Sequence, residues 1–313
     1  MLKERILGGL LGVAVGDALG LPVQFNSRKA MEQRPVTNME GWGVFNLPPG
    51  AWSDDTSLTF CLAESLAEKG LDIEDTGQRF LRWYTEGYCT PTGVSFDIGK
   101  STRQAMERIR TGCPAAVAGG TGERDNGNGS LMRILPAALY FHRDRQPDLA
   151  AKIWAFSSIT HAHPRACSAC YLYALLAKEL LQSSSAAQAY MKICSMELSP
   201  GLDPGERDHF QRLLGGSLHL LPRDEIESDG YVVHTLEAAL WSLLNQRNFA
   251  DTVLEAVNLG DDTDTTAAVA AGLAGLYYGL KGIPLKWQQA LIGYDILLRV
   301  ADLFAEKIKK NFE

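Results

Sequence analysis

Glycines at positions 8, 12, 16 and 20 recur every four residues along LKERILGGLLGVAVGDALG, and Ala267, Ala271, Gly275 and Gly279 repeat the interval near the other end of the 313-residue chain. On an α-helix that interval lines up on one face. Each interior glycine costs about 0.5–1 kcal/mol relative to alanine. Four on one face are tolerable only where a second backbone packs against them. The spacing therefore predicts helices over 3–19 and 264–280 that cross closely in the core. That crossing would carry the Gly16–Gly20 segment to whatever lies at the start of the second helix.

What lies there is acid. Asp261, Asp262 and Asp264 alternate with or adjoin Thr263, Thr265 and Thr266, and the apolar run of the helix follows at once. Buried unpaired carboxylates cost several kcal/mol each or become neutral. Capping explains one acid but not three, whereas an oxygen-only donor set suits a hard divalent ion such as Mg²⁺ or Mn²⁺. The stretch Ser53-Asp54-Asp55-Thr56 repeats the arrangement ahead of another apolar helix. Two such motifs favour a two-metal or metal–phosphate site over two caps.

The remaining pattern is helical throughout, over about 55–69, 74–86, 97–111, 129–142, 148–159, 164–183, 186–196, 205–214, 229–245, 248–257 and 294–310. No segment alternates with period two, and no linker or long repeat interrupts the chain. The expected fold is all-α, one multi-helix domain over residues 1–313. Residues 21–52 lack periodicity but carry Phe25, Trp42, Phe45 and Trp52, which reads as an ordered wall rather than a linker.

Composition narrows the function. A 46% hydrophobic and 21% charged chain is ordinarily globular. A net charge of −7 and a pI near 5.5 give no basic field to recruit nucleic acid or an anionic membrane. The six cysteines form no framework, and the Cys167–Cys170 pair reads as two core thiols, which points to a reducing compartment, the cytoplasm. The N-terminal stretch loosely imitates a signal peptide but is broken by Asp17, and is read as mature protein. The apolar runs 6–16 and 267–280 look too short to span a bilayer.

Three other segments carry chemistry. Asp97 stands near the expected start of the helix at 97. Gly119-Gly120-Thr121-Gly122 and Gly127-Asn128-Gly129-Ser130 form a glycine-rich loop that is expected to run into a helix near Ser130, the form of a phosphate cradle. His161 and His163 lie in THAHP with no third zinc ligand in sight. One of them is expected at substrate or phosphate and the other at the surface.

Taken in order, GDALG (16–20), SDDTSLTFCLAESL (53–66), FDIG (96–99), NGNGSLMR (126–133), THAHP (160–164), GYVVHTLEAALW (230–241) and NLGDDTDTTAAVAAGLAG (258–275) resemble the ADP-ribosylglycohydrolase family. The resemblance implies an all-α fold with two Mg²⁺ or Mn²⁺ ions, and hydrolysis of the bond joining ADP-ribose to a protein side chain or small acceptor. It implies metal ligands at Ser53, Asp54, Asp55, Asp262, Asp264 and Thr265. It places substrate contacts at Asp97, Gly127, Asn128, Gly129, Ser130 and His161. Gln24 stands where the family commonly has glutamate. An amide can ligate or orient but cannot act as a base, so the base falls to Asp54 or Asp55. The expected partner is an ADP-ribosylated protein, arginine-linked above all, or a small molecule. No membrane is expected, and nucleic acid only as an ADP-ribosylated substrate. Two rivals follow from the same residues: an ADP-ribose or nucleotide binder that has lost hydrolysis at Gln24, and a prenyl-diphosphate-type synthase, which would instead want its acids within helices facing an aromatic cavity.

Overall fold

A computed structural model describes residues 2–311. Among these residues the regular structure is helical. Fifteen α-helices run in the order α1 Leu2–Gly20, α2 Arg28–Gln33, α3 Asp54–Lys69, α4 Ile73–Glu86, α5 Lys100–Arg110, α6 Leu135–Tyr140, α7 Gln146–Ser158, α8 Pro164–Leu180, α9 Ala186–Ser195, α10 Gln211–Leu214, α11 Val232–Asn245, α12 Phe249–Asn258, α13 Thr263–Tyr278, α14 Leu285–Ala290 and α15 Tyr294–Lys310. The all-α reading holds.

α1 and α13 form the axis of the molecule. They run antiparallel, in the register set by their small residues. A Cβ added at Gly8 would collide with the backbone of Gly275, at Gly12 with the Ala271 carbonyl, at Gly16 with Ala267 and at Gly20 with Asp264. The conformational cost of the four glycines is thus offset by backbone-to-backbone packing over the whole helix. Thr263 Oγ1 donates to the Gly20 carbonyl at 2.8 Å and fastens the end of the pair that bears the acids. Arg5 caps the opposite end, donating to the carbonyls of Leu276, Leu180 and Leu181.

α3, α12 and α15 pack on α1, and α11, α12 and α8 on α13. α1 is therefore buried on all sides from Ile6 to Gly20. The apolar run here is longer than the sequence reading allowed. Residues Leu2–Val23 have the length and apolarity of a membrane-crossing helix, with a mean hydropathy of 1.8 over an 18-residue window, but 89% of that window is buried inside the fold.

Several boundaries differ from expectation. The helix expected over 129–142 is confined to α6, because residues 131–134 form turns closed by Ile134 N donating to the Leu131 carbonyl. The glycine-rich loop therefore does not lead straight into a helix N-terminus. α5 starts at Lys100, leaving Asp97 in the preceding loop with φ +53. The 21–52 segment is ordered, as its aromatics suggested, and contains α2. It is pinned by Arg28, which donates to the carbonyls of Leu259, Arg223 and Ile226. Cys167 and Cys170 are buried thiols of α8.

Candidate active site

The α1/α13 crossing delivers Asp17 and Asp264 to one place, and the N-terminus of α3 delivers Asp54 and Asp55 to the same place. Carboxylate oxygens of Asp17, Asp55 and Asp264 lie within 4.8 Å of one another, all buried. Ser53 caps α3, its Oγ accepting from Asp55 N at 3.3 Å and donating to Asp55 Oδ2 at 3.1 Å. So the capping reading was right for this residue, and Ser53 also holds Asp55. Asp262 occupies the cap position of α13 but makes no capping bond. Its Oδ2 instead accepts from Asn128 Nδ2 at 2.7 Å. Thr265 Oγ1 reaches Asp55 Oδ2 at 3.4 Å. Asp261, exposed and at φ +57, stands apart.

The decisive feature is what these acids lack. Among the described residues, eight buried side-chain N or O atoms have no hydrogen-bond partner, and four belong here: Gln24 Oε1, Asp55 Oδ1 and both oxygens of Asp264. A native interior rarely leaves such atoms unpaired. Burial and the neighbouring carboxylates hold Asp54, Asp55 and Asp264 well above the usual carboxylate range. Burial also raises Asp97. The mutually close oxygens of Asp17, Asp55 and Asp264, two of them on acids of raised proton affinity, form a buried cluster that could hold a metal ion.

Beside the cluster opens a cleft of about 260 Å³, lined by Gln24, Phe25, Asp54, Asp97, Asp262 and Thr265 together with Gly127, Asn128, Gly129 and His161. Lys100 and Arg124 stand on the same lining. Gln24 Nε2 donates to Asp97 Oδ2 at 3.0 Å, so the amide is oriented by the acid. The glycine-rich loop is clipped at two points. Gly120 N donates to the Thr160 carbonyl and Ala162 N to the Gly120 carbonyl, while Asn128 N donates to the Gly230 carbonyl. Only glycine fits at position 129, where a Cβ would strike the His161 ring.

Most expected site residues therefore converge, with three differences. Ser130 is fully buried, and its hydroxyl accepts from Ser157 Oγ at 2.9 Å and meets Cys170 Sγ, so its side chain is not part of the cleft. Asn128 touches the cleft but commits its amide nitrogen to Asp262 and Thr235. His163 is not at the surface. It is buried as the cap of α8, accepting from Arg165 N.

One central residue was missed. Asp17 accepts from Ser53 N, from Thr56 N at 3.0 Å and from Thr56 Oγ1 at 2.6 Å. It thereby closes the first turn of α3 from outside that helix. Its signs in the sequence were a lone acid in an otherwise apolar run and its place in the Gly16–Gly20 segment, which the crossing was expected to carry to the acids.

The model of the ADP-ribosylglycohydrolase family matches residues 1–313. The chain belongs to the ADP-ribosylglycohydrolase family. It is 35% identical over 304 residues to the ADP-ribosylarginine hydrolase Tri1 of Serratia proteamaculans, covering 96% of this chain and 78% of that protein. It is 33% identical over 293 residues to the ADP-ribosyl-[dinitrogen reductase] glycohydrolase of Rhodospirillum rubrum, covering 93% and 91% of the two chains. A solved structure described as an ADP-ribosylglycohydrolase-related protein complex superposes with a TM-score of 0.82 at 37% identity, over 97% of this chain and 98% of that one. These relatives are hydrolases, and this ADP-ribosylglycohydrolase is an enzyme of the same kind. The prenyl-synthase alternative does not survive the family assignment.

Proposed function

We propose that this ADP-ribosylglycohydrolase is a divalent-metal-dependent hydrolase of the N-glycosidic bond between ADP-ribose and arginine on a modified protein. The observation that carries the metal half is the pair of donor-less, fully buried oxygens on Asp264 opposite Asp55 Oδ1. The arginine half is supported by Asp97, an anionic group in the cleft suited to a guanidinium, and by the activity named for the Serratia relative.

Ser53, Asp54, Asp55, Asp262, Asp264 and Thr265 are the residues that would hold two Mg²⁺ or Mn²⁺ ions. When bound, such ions supply neutralisation of the acid cluster and Lewis acidity toward hydroxyl groups and water. The protein's own part is separable. His161 and the glycine-rich loop hold the diphosphate, with Lys100 and Arg124 adding positive charge. That fixes the ribose over the acids. Asp54 is the side chain placed to take the proton of the attacking water, since Gln24 cannot. The Asp97 carboxylate stays with the leaving guanidine.

The test is ADP-ribose release from an arginine-ADP-ribosylated protein, with a serine-linked substrate in parallel and with Mg²⁺, Mn²⁺ or chelator. Metal-dependent release from arginine is expected. Gln24, lacking a proton-accepting group, supports a second reading, an ADP-ribose binder without turnover. ADP-ribose binding with no release from either acceptor would establish that reading in place of the first.

A further inference from the structure

Behind the glycine-rich loop lies a chain of polar groups that the proposed chemistry does not touch. Arg133 is fully buried, stacked over the Phe80 ring at 4.6 Å. Its Nη1 donates to the Phe156 carbonyl at 3.2 Å and its Nη2 to Thr160 Oγ1 at 2.7 Å. A guanidinium can only donate, so Thr160 Oγ1 is an acceptor in that bond. The same oxygen lies 2.8 Å from His161 Nδ1. Thr160 is fully buried, so no water takes its hydroxyl proton.

We infer that Arg133 and Thr160 are positioning residues that fix His161 in one tautomer, proton on Nε2, so that a neutral N–H donor is held toward the diphosphate end of the cleft. The inference rests on the reading of that cleft as an ADP-ribose site. In this tautomer the Thr160 hydroxyl receives from Arg133 and donates to Nδ1. The other tautomer would aim two N–H groups at one oxygen and leave the buried hydroxyl proton without an acceptor.

The ring itself is held still. His161 N donates to the Ser157 carbonyl, Ser157 Oγ donates to the His161 carbonyl at 2.9 Å, and the ring fills the space beside Gly129. Burial and the Arg133 charge push its pKa down to about 3, so the ring is neutral. The ring hydrogen bond it makes within the protein is at Nδ1, and the side chain lines the cleft with Lys100, Arg124 and Gly127. Arg133 thereby acts on the ligand through two intervening side chains while never lining the cleft.

Nitrogen-15 NMR on the full-length protein labelled at histidine reads the tautomer directly and needs no ligand. The parent and Thr160→Ser are expected to show His161 protonated at Nε2 alone, and Thr160→Val a mixture or Nδ1–H. Titration with ADP-ribose, and with ADP as a second diphosphate probe, is expected to show affinity about tenfold weaker for Thr160→Val and recovered in Thr160→Ser. Nδ1–H in the parent overturns the inference, and this outcome does not depend on any variant folding. An unchanged Nε2–H signal in Thr160→Val also overturns it. If the parent binds neither ADP-ribose nor ADP, the reading of the cleft fails, and with it the ligand assigned to His161, whichever tautomer is found.

Discussion

Asp17 in the last turn of α1 and Asp264 in the first turn of α13 are both fully buried, with oxygens within 4.8 Å of each other. Asp17 accepts from three donor groups, Ser53 N, Thr56 N and Thr56 Oγ1, whereas Asp264 accepts from none. Burial pushes Asp17 up to about 6 against those hydrogen bonds, and holds Asp264, which lacks them, well above the carboxylate range. Two acids at the same depth thus have different work. Asp17 is completed by the protein and shapes the turn that presents Asp54 and Asp55. Asp264 is left incomplete, which is what an oxygen ligand awaiting a cation requires.

The sharpest way to break this contrast is to truncate each acid. Asp264→Ala is expected to lower ADP-ribose release by about a thousandfold or more while leaving the metal-free protein as stable as the parent or more so, because an unpaired buried carboxylate is gone. Turnover and thermal melting of the same sample decide it. Unchanged turnover would remove Asp264 from the metal site. Asp17→Ala is expected to do the reverse. It strands three buried donors and should cost about 3 kcal/mol in denaturant unfolding, with activity falling only as α3 loosens.

A gentler probe is pH. Asp17, Asp54, Asp55 and Asp264 all have native pKa values above the unfolded value near 4. The folded state keeps protons that the unfolded chain has released, so the metal-free protein loses stability as pH rises from about 4 through 6 and beyond. Asp17 alone accounts for about 2–3 kcal/mol of that loss. Melting temperatures across this range, without metal, should fall; a rise would mean the acids are stabilised as anions by groups other than a cation. The smallest effect is expected at the rim. Gln24→Glu supplies a carboxylate beside Asp97 and should raise turnover by about tenfold if the missing base limits the rate. No gain would leave the proton to Asp54 alone.

The same contrast marks what the sequence could tell. The α1/α13 crossing was legible because a four-residue repeat of small side chains is itself a packing instruction, written twice. Asp54, Asp55, Asp262 and Asp264 were legible because acids that dense before a buried helix have few other uses. Asp17 was not singled out, since its donors lie 36 and 39 residues away, although its segment was expected to reach the acids. The Gln24–Asp97 bond joins residues 73 apart and was hidden for the same reason. Ser130 was misplaced because SLMRILPAALY reads as one apolar helix. The turns at 131–134 and the inward Arg133 delay the helix and rotate the serine into the core.

The account turns on the proposal that Asp264 is an oxygen ligand for a divalent cation. Calorimetric titration of the metal-free protein with Mn²⁺, repeated in buffers of different protonation enthalpy, measures both binding and proton release. The prediction is saturable binding that releases protons near pH 6, raises the melting temperature and is lost in Asp264→Ala. Binding of equal strength in that variant, or none in the parent, would contradict it.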